Sequence, residues 1–167
     1  MIFGAGVAAG ALVVMLIQQL FLAPAISTVF SPEQGGEIIG FIDSAQETLD
    51  IEVYVMSSRD VVAALERAKA RGVEIRIIVE RNVVSGENDE IYRELASKGF
   101  NIRYAGSAQK LTHSKFIIVD GKAVLVGSHN LSNSALFKNR EASVIVRDAA
   151  AVGEFEETFG IDWARAA

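Results

Sequence analysis

The chain has two histidines, His113 and His129, in one short stretch of its C-terminal half. His113 lies two residues before Lys115, where the apolar run K-F-I-I-V predicts a strand. Residues i and i+2 of a strand project from the same face, so the imidazole and the ammonium can lie side by side. Burying this pair in a core would be costly. It suits a phosphate, because lysine holds the charge and imidazole can attack phosphorus or transfer a proton.

A second polar pair follows the next predicted strand. Asp120-Gly121 is a strong hairpin signal between the K-F-I-I-V run and the run A-V-L-V at 123–126. Beyond that run, Ser128 and Asn130 are again at i and i+2, and both can donate hydrogen bonds. The hairpin therefore brings two pairs of polar side chains towards one patch, where donors could stabilise the charge on a pentacoordinate phosphorus.

The spacing of these residues resembles the H-x-K-x4-D-x6-G-S-x-N signature of the phospholipase D superfamily. Every defined position of that signature is matched, by His113, Lys115, Asp120, Gly127, Ser128 and Asn130. The resemblance implies a phosphodiesterase in which His113 forms a covalent phosphohistidine. It also implies that Lys115, Ser128 and Asn130 hold the phosphate, that Asp120 and Gly127 are structural, and that no cofactor is needed.

The resemblance extends to a carboxylate and to a partner. Glu141 ends an Asn-x-Glu pattern similar to that of related small nucleases, in which the glutamate hydrogen-bonds the histidine and so fixes its tautomer. The superfamily's chemistry uses two motifs around one phosphate, whereas this chain carries one. A homodimer with the active site at its interface is therefore implied.

The remaining histidine and the composition narrow the chemistry. His129 alternates away from Ser128 and Asn130, and we expect it to face the other side. The spacing of the two histidines fits no usual zinc ligand set, so we predict no metal site. The absence of cysteine excludes disulfides and thiolate nucleophiles. The net charge is −5, but residues 101–140 carry six basic side chains and one acidic side chain, which suits an anionic substrate.

Residues 2–23 are apolar except for two glutamines. As a helix this segment would span roughly 33 Å, enough for the ~30 Å hydrocarbon core of a bilayer. We predict a single-pass N-terminal membrane anchor within residues 1–26. A signal peptide is the alternative and would give a secreted or periplasmic protein, but the segment lacks the basic start that such peptides carry. Residues 27–36, with Ser-Pro and Gly-Gly pairs, are predicted to form a linker.

Residues 37–167 are predicted to form one catalytic domain. Strands at 50–56, 73–79 and 100–104 alternate with helices, which indicates parallel βαβ units. The hairpin, a strand at 143–146 and a helix at 149–159 complete the pattern. The expected fold is α/β, with a mixed, largely parallel sheet flanked by helices on both faces and preceded by one apolar helix.

Three functions are compatible with this sequence. Similarity in size and in the single motif to small endonucleases of the superfamily favours cleavage of DNA or RNA. A membrane anchor would hold the site near lipid, which favours a phospholipase D acting on phospholipid head groups. The third possibility is a non-catalytic module that binds nucleic acid or lipid.

Overall fold

The computed structural model describes residues 24–83 and 86–167. Its strands are β1 (Ile26–Phe30), β2 (Thr48–Val53), β3 (Glu74–Val79), β4 (Asn101–Tyr104), β5 (Lys115–Val119), β6 (Ala123–Gly127) and β7 (Ala142–Val146). Its helices are α1 (Gly35–Asp43), α2 (Arg59–Ala70), α3 (Glu87–Ser97), α4 (Asn133–Phe137) and α5 (Ala149–Arg165). None of these helices has the length and apolar character needed to cross a membrane. The predicted anchor and apolar helix at 2–23 lie outside the described residues.

The seven strands form one mixed sheet in the order β1-β7-β6-β5-β2-β3-β4. Only β2 with β3 and β3 with β4 pair in parallel, and the other four pairings are antiparallel. The α/β class and the mixed sheet are confirmed, but the prediction of a largely parallel sheet was wrong. Helical crossovers join only β2, β3 and β4, whereas the short connection between β5 and β6 permits only an antiparallel pair.

The predicted linker at 27–36 was also wrong, because this stretch contributes to the sheet. Residues 26–30 form β1, which pairs antiparallel with β7 from Ile26↔Val146 to Phe30↔Ala142. The Gly-Gly pair begins α1, and a Cβ at Gly35 would lie 1.8 Å from the backbone oxygen of Leu136. Glycine is therefore required here for close packing of α1 against the end of α4.

Helices cover both faces of the sheet. On one face, apolar side chains of α1, α2 and α3 pack with β2, β3 and β5 in the larger core, which includes Ile38, Leu65, Leu95, Ile51 and Ile77. On the other face, Val152 and Phe159 of α5 pack against Ile78, Phe116 and Val124.

The hairpin of β5 and β6 is tied to the start of β2. Asp120 and Gly121 adopt φ values of 53° and 59°, the left-handed conformation of a tight hairpin turn. The Asp120 carboxylate accepts hydrogen bonds from the backbone N–H groups of residues 46, 47 and 48, at 2.8–3.2 Å. This end of the hairpin lies opposite the end that carries His113, so the clamp holds the hairpin in place without approaching the motif.

Candidate active site

His113 and Lys115 lie side by side at the start of β5. The Lys115 ammonium is 3.3 Å from Nδ1 of His113 and donates a hydrogen bond to its backbone oxygen at 2.6 Å. The imidazole is exposed, with its ring centroid 4.5 Å from that of Tyr54 at an interplanar angle of 56°. The Lys115 ammonium is also 5.4 Å from the Tyr54 ring centroid. An anion bound by Lys115 would therefore contact the imidazole as well.

Burial lowers the pKa of Lys115, and the negative charge of Glu141 partly opposes that shift. The ammonium is thus incompletely solvated, which strengthens its attraction for an anion. Sequence reasoning missed Tyr54, the aromatic ring beside this pair. Only the β2–β5 register, in which Val53 lies opposite Lys115, brings that ring to the motif.

Ser128 and Asn130 follow β6 at the same end of the sheet. The Ser128 hydroxyl donates to the Glu141 carboxylate at 2.5 Å and accepts from the backbone N–H of Ala142 at 3.1 Å. The side-chain oxygen of Asn130 accepts from the N–H of Val55 at 3.2 Å. That bond orients the amide, and its NH₂ group has no hydrogen-bond acceptor among the described residues. This group is the part of Asn130 able to donate to an anion.

Gly127 fits the sequence prediction of a structural position for a steric reason. It lies opposite Ser143 in the β6–β7 pair. A Cβ at Gly127 would lie 2.4 Å from the backbone oxygen of Ala142 and 2.3 Å from the Ser143 hydroxyl. Only glycine permits this approach of the two strands, which brings Ser128 to Glu141.

Glu141 does not make the contact predicted for it. Within the described chain its carboxylate is bound by Ser128 and, at 3.3 Å, by the Asn139 amide, and not by His113. The strand order explains the difference, because Glu141 directly precedes β7 while His113 precedes β5, with β6 between them. Its charge nevertheless acts on Lys115 and on His129.

His129 points into the protein beneath the motif. Its side chain is 2% exposed, and Nδ1 lies 2.7 Å from the Ser143 hydroxyl, while Nε2 has no partner among the described residues. Burial lowers the pKa of His129, with the Glu141 charge opposing. The neutral ring is therefore favoured, and His129 is separated from solvent and substrate.

A cavity of about 570 Å³ opens beside the motif on the side of the sheet that α5 covers. Its walls include His113 and Lys115 at one end and the carboxylates of Glu52, Glu154 and Asp162. Glu52 is 2% exposed and accepts a hydrogen bond from the Ser114 hydroxyl. Burial, opposed by that bond and reinforced by Asp162, raises the pKa of Glu52 to about 7. Sequence reasoning missed Glu52, since its place in an alternating strand is typical of a solvated side chain.

The basic segment is not gathered at the motif. Lys122 pairs with Glu47 at the far end of the hairpin, and Arg140 pairs with Glu33 at 2.7 Å. Arg103 donates to a backbone oxygen of α5. The charge excess of residues 101–140 is therefore spread over both ends of the sheet. In the ranges that the structure covers, no cluster of three or more His, Cys, Asp or Glu side chains could hold a metal ion.

Most of the chain is similar to known proteins, in sequence and in fold. Residues 38–163 match the family model described as "Cardiolipin synthase, PLD-like domain". Phospholipase D of Rickettsia conorii is 31% identical over 140 residues, covering 83% of this chain and 67% of that protein. The mitochondrial cardiolipin hydrolase of Xenopus tropicalis is 31% identical over 119 residues, covering 71% of this chain and 56% of the hydrolase.

Solved structures agree with these matches. Nuc from Salmonella typhimurium, a phospholipase D family member, superposes with a TM-score of 0.80 at 28% identity. The superposition covers 87% of this chain and 97% of Nuc. NucT from Helicobacter pylori has the same fold, with a TM-score of 0.71 at 21% identity, over 85% of this chain and 97% of NucT.

Proposed function

Because the chain belongs to the phospholipase D superfamily, we propose that it hydrolyses phosphodiester bonds in two displacements at His113. In the first, the imidazole attacks phosphorus, the bond to the leaving oxygen breaks and a phosphohistidine forms. In the second, water displaces the histidine and releases the phosphomonoester. The observation that carries this proposal is the exposed His113 imidazole with the Lys115 ammonium 3.3 Å from its ring nitrogen. The NH₂ group of Asn130 is the further donor for the phosphate.

The working unit is a homodimer with two-fold symmetry. The leaving oxygen needs a proton, and each chain supplies one H-x-K motif, so His113 of a second copy is the proposed acid. Two apolar side chains near the motif support a protein interface there. Leu111, two residues before His113, is 42% exposed, and Phe137 at the end of α4 is 39% exposed.

Nucleic acid is the proposed substrate, and the direction of β1 supports it. The strand begins at Ile26, opposite Val146, and runs to Phe30, opposite Ala142 and next to Glu141. Arg147 holds its start through the backbone oxygens of Pro24 and Ala25, at 3.0 and 2.8 Å. Residues 1–23 therefore join the domain at the end of the sheet away from the motif, roughly 17 Å distant along a strand of this length.

If residues 2–23 form a membrane anchor, as we propose, this direction turns the motif away from the membrane that holds the chain. A polymer in the aqueous phase can then reach His113, whereas head groups of the same bilayer lie at the opposite end of the sheet. Endonucleolytic cleavage of DNA or RNA is therefore the first candidate reaction.

Phospholipid head groups are the second candidate substrate. Two observations favour them: the relatives named above are a phospholipase D and a cardiolipin hydrolase, and the basic residues are not gathered at the motif. The spread of charge weakens the electrostatic attraction that nucleic acid binding usually requires.

One assay tests the reaction and separates these substrates. The full chain in mild detergent would be incubated with EDTA and with bis(p-nitrophenyl) phosphate, labelled single-stranded DNA or RNA, or vesicles containing phosphatidylcholine and cardiolipin. We expect cleavage of the nucleic acid, and a loss of at least about 10³-fold in His113→Asn.

The control and the contrary outcomes are defined by the same assay. Glu157→Gln, an exposed change on α5, should retain wild-type rates. Undiminished turnover by His113→Asn would refute the mechanism, and preferential cleavage of vesicle lipid would assign the chain to the second candidate. Binding of nucleic acid or vesicles without any turnover would identify a non-catalytic module.

A further inference from the structure

The end of β2 holds the H-x-K motif through its middle residue, Ser114. The backbone N–H of Tyr54 donates to the backbone oxygen of Ser114 at 3.1 Å, and the Ser114 hydroxyl donates to the Glu52 carboxylate. The Tyr54 ring contacts the His113 ring from the same strand end. β2 therefore fixes the backbone and the side chain of the residue between His113 and Lys115.

This anchoring is important because β5 begins only at Lys115. His113 precedes the strand, so ladder hydrogen bonds do not hold it in place. The distance between the imidazole and the ammonium therefore depends on how firmly Ser114 is held.

We propose that Glu52 is a positioning residue for the reaction, which fixes Ser114 from inside the sheet and thereby sets the spacing of His113 and Lys115. The inference rests on the proposed function of His113. Glu52 itself is 2% exposed and lies on the α5 face of β2, opposite Phe116, so its contribution acts through Ser114 and not through contact with the phosphate.

The second oxygen of Glu52 indicates how this support responds to pH. Oε2 is buried and has no partner among the described residues. The charged groups around the adjoining cavity are Glu154 and Asp162 on α5 and His113 and Lys115 at the start of β5. Along β2 itself, Asp50 is already paired with Arg76 at 2.5 Å.

Protonation of Glu52 reduces the cost of burying this unpartnered oxygen, because the carboxyl group is then neutral. Burial raises the pKa of Glu52 and the Ser114 bond lowers it, while Asp162 raises it by repulsion and by favouring the protonated form as a hydrogen-bond donor. The pKa that results is about 7. Protonated Glu52 therefore joins β2 to α5 while its other oxygen still accepts from Ser114. Above this pKa Glu52 and Asp162 are both carboxylates and repel, so β2 and α5 are pushed apart beside the motif although Ser114 still donates to Glu52.

The test is the pH dependence of kcat for bis(p-nitrophenyl) phosphate in three variants of the full chain. Glu52→Ala removes the acceptor for Ser114, and we expect kcat to fall about 10- to 100-fold with a smaller change in KM, as misplacement of reacting groups does. Glu52→Gln keeps an oxygen that accepts from Ser114 and removes the charge that repels Asp162. It should restore kcat to within a few-fold and abolish the decline of kcat centred near pH 7.

Asp50→Asn is the matched control, because Asp50 is buried on the same face of β2 and does not contact Ser114. It should lower the melting temperature and leave the pH profile of kcat unchanged. Wild-type kcat in a folded Glu52→Ala variant, or an unchanged alkaline decline in Glu52→Gln, would overturn the proposal.

A second readout does not depend on turnover. The two histidines give two sets of imidazole NMR signals, which His113→Asn assigns. In Glu52→Ala the His113 signals should shift and broaden, whereas in Glu52→Gln they should stay near their wild-type positions. A wild type that turns over no substrate would refute the proposed function but would not bear on the positioning role of Glu52. Unchanged His113 signals in Glu52→Ala would refute the positioning role whether or not the wild type is active.

Discussion

The Ser128 hydroxyl donates its proton to Glu141 across the β6–β7 pair, at 2.5 Å. A hydroxyl has one proton to donate, so Ser128 cannot bind a phosphate oxygen as a donor while this bond persists. The phosphate-binding role that the superfamily resemblance implies for Ser128 therefore requires Glu141 to release it. Glu141 also acts on Lys115 through its charge.

Replacing Glu141 by glutamine should shift the alkaline limit of activity. Burial lowers the pKa of Lys115 and the Glu141 charge opposes that shift, so removing the charge should lower the pKa further. Lys115 would then lose its proton at a lower pH, and kcat/KM should decline earlier on the alkaline side. The pH profile of kcat/KM measures this, with Glu47→Gln at the far end of the hairpin as the control. Coincident profiles for wild type and Glu141→Gln would contradict the prediction.

Mixing active and inactive chains should reveal whether two histidines serve one site. If each active site needs His113 from both subunits, random dimers of wild type and His113→Asn at equal amounts should retain about one quarter of the activity. Independent subunits would retain about one half. Co-expression with two different affinity tags, followed by an assay of the unseparated mixture, distinguishes the two values.

Gly127→Ala should destabilise the protein and lower activity together. The new Cβ would lie 2.4 Å from the backbone oxygen of Ala142, so β6 and β7 must separate. We expect the free energy of unfolding to fall by about 1–3 kcal/mol. Urea unfolding measures it. Gly153→Ala in α5 meets nothing within 4 Å and should be neutral or slightly stabilising. Equal stability of the two variants would show that the strands tolerate the side chain.

Asp120→Ala should destabilise the domain while leaving the motif's geometry intact. Burial raises the pKa of Asp120, but the backbone N–H donors of residues 47, 48 and 46 outweigh that effect and the pKa is lowered overall. The stabilisation is therefore present above the ordinary aspartate pKa and is lost as pH falls through the lowered one. Losing these bonds should cost about 2 kcal/mol at neutral pH. Thermal unfolding measures it, with exposed Glu157→Ala as the control, and an unchanged melting temperature would exclude the clamp.

His129 should make the wild type less stable in mild acid. Burial lowers the pKa of His129, so its contribution is present above the ordinary histidine pKa and is lost as pH falls through the lowered one. The free energy of unfolding should fall less between about pH 7.5 and 5.5 in His129→Gln than in the wild type. His113→Asn, which removes the exposed histidine, is the matched control. If the free energy of unfolding falls as much in His129→Gln as in the wild type, the loss of stability in acid does not come from His129.

The sequence predicted those parts of the fold that depend on local pattern. The helix predicted at 149–159 lies within α5 (Ala149–Arg165), and the Asp120-Gly121 turn lies where expected. β1 was missed because its pairing partner, β7, is remote in sequence and its own five residues carry a weak pattern. α4 was missed because its five residues are too few to show a helical period. The Ser132 side chain caps its start.

In the site, too, the sequence predicted the relationships between residues close in the chain and missed those between remote ones. The i, i+2 relationship placed His113 beside Lys115 correctly, since it depends on residues close in the chain. Tyr54 and Glu52 were missed because only the β2–β5 register brings them to the motif. Glu141 and His113 are not in contact within the described chain, because the strand order places β6 between them.

The pairing of β1 with β7 also sets the order of events during synthesis. Ile26 leaves the ribosome well before its partner Val146, because nearly the whole domain lies between them in the chain. Until then the nascent chain has an unpaired strand segment, with Ile26 and Phe30 available to contact other chains or chaperones. Ser128 and Glu141 likewise become neighbours only when β7 arrives. The site therefore cannot assemble before β7 has been made, and slow translation beyond β6 would prolong the aggregation-prone stage.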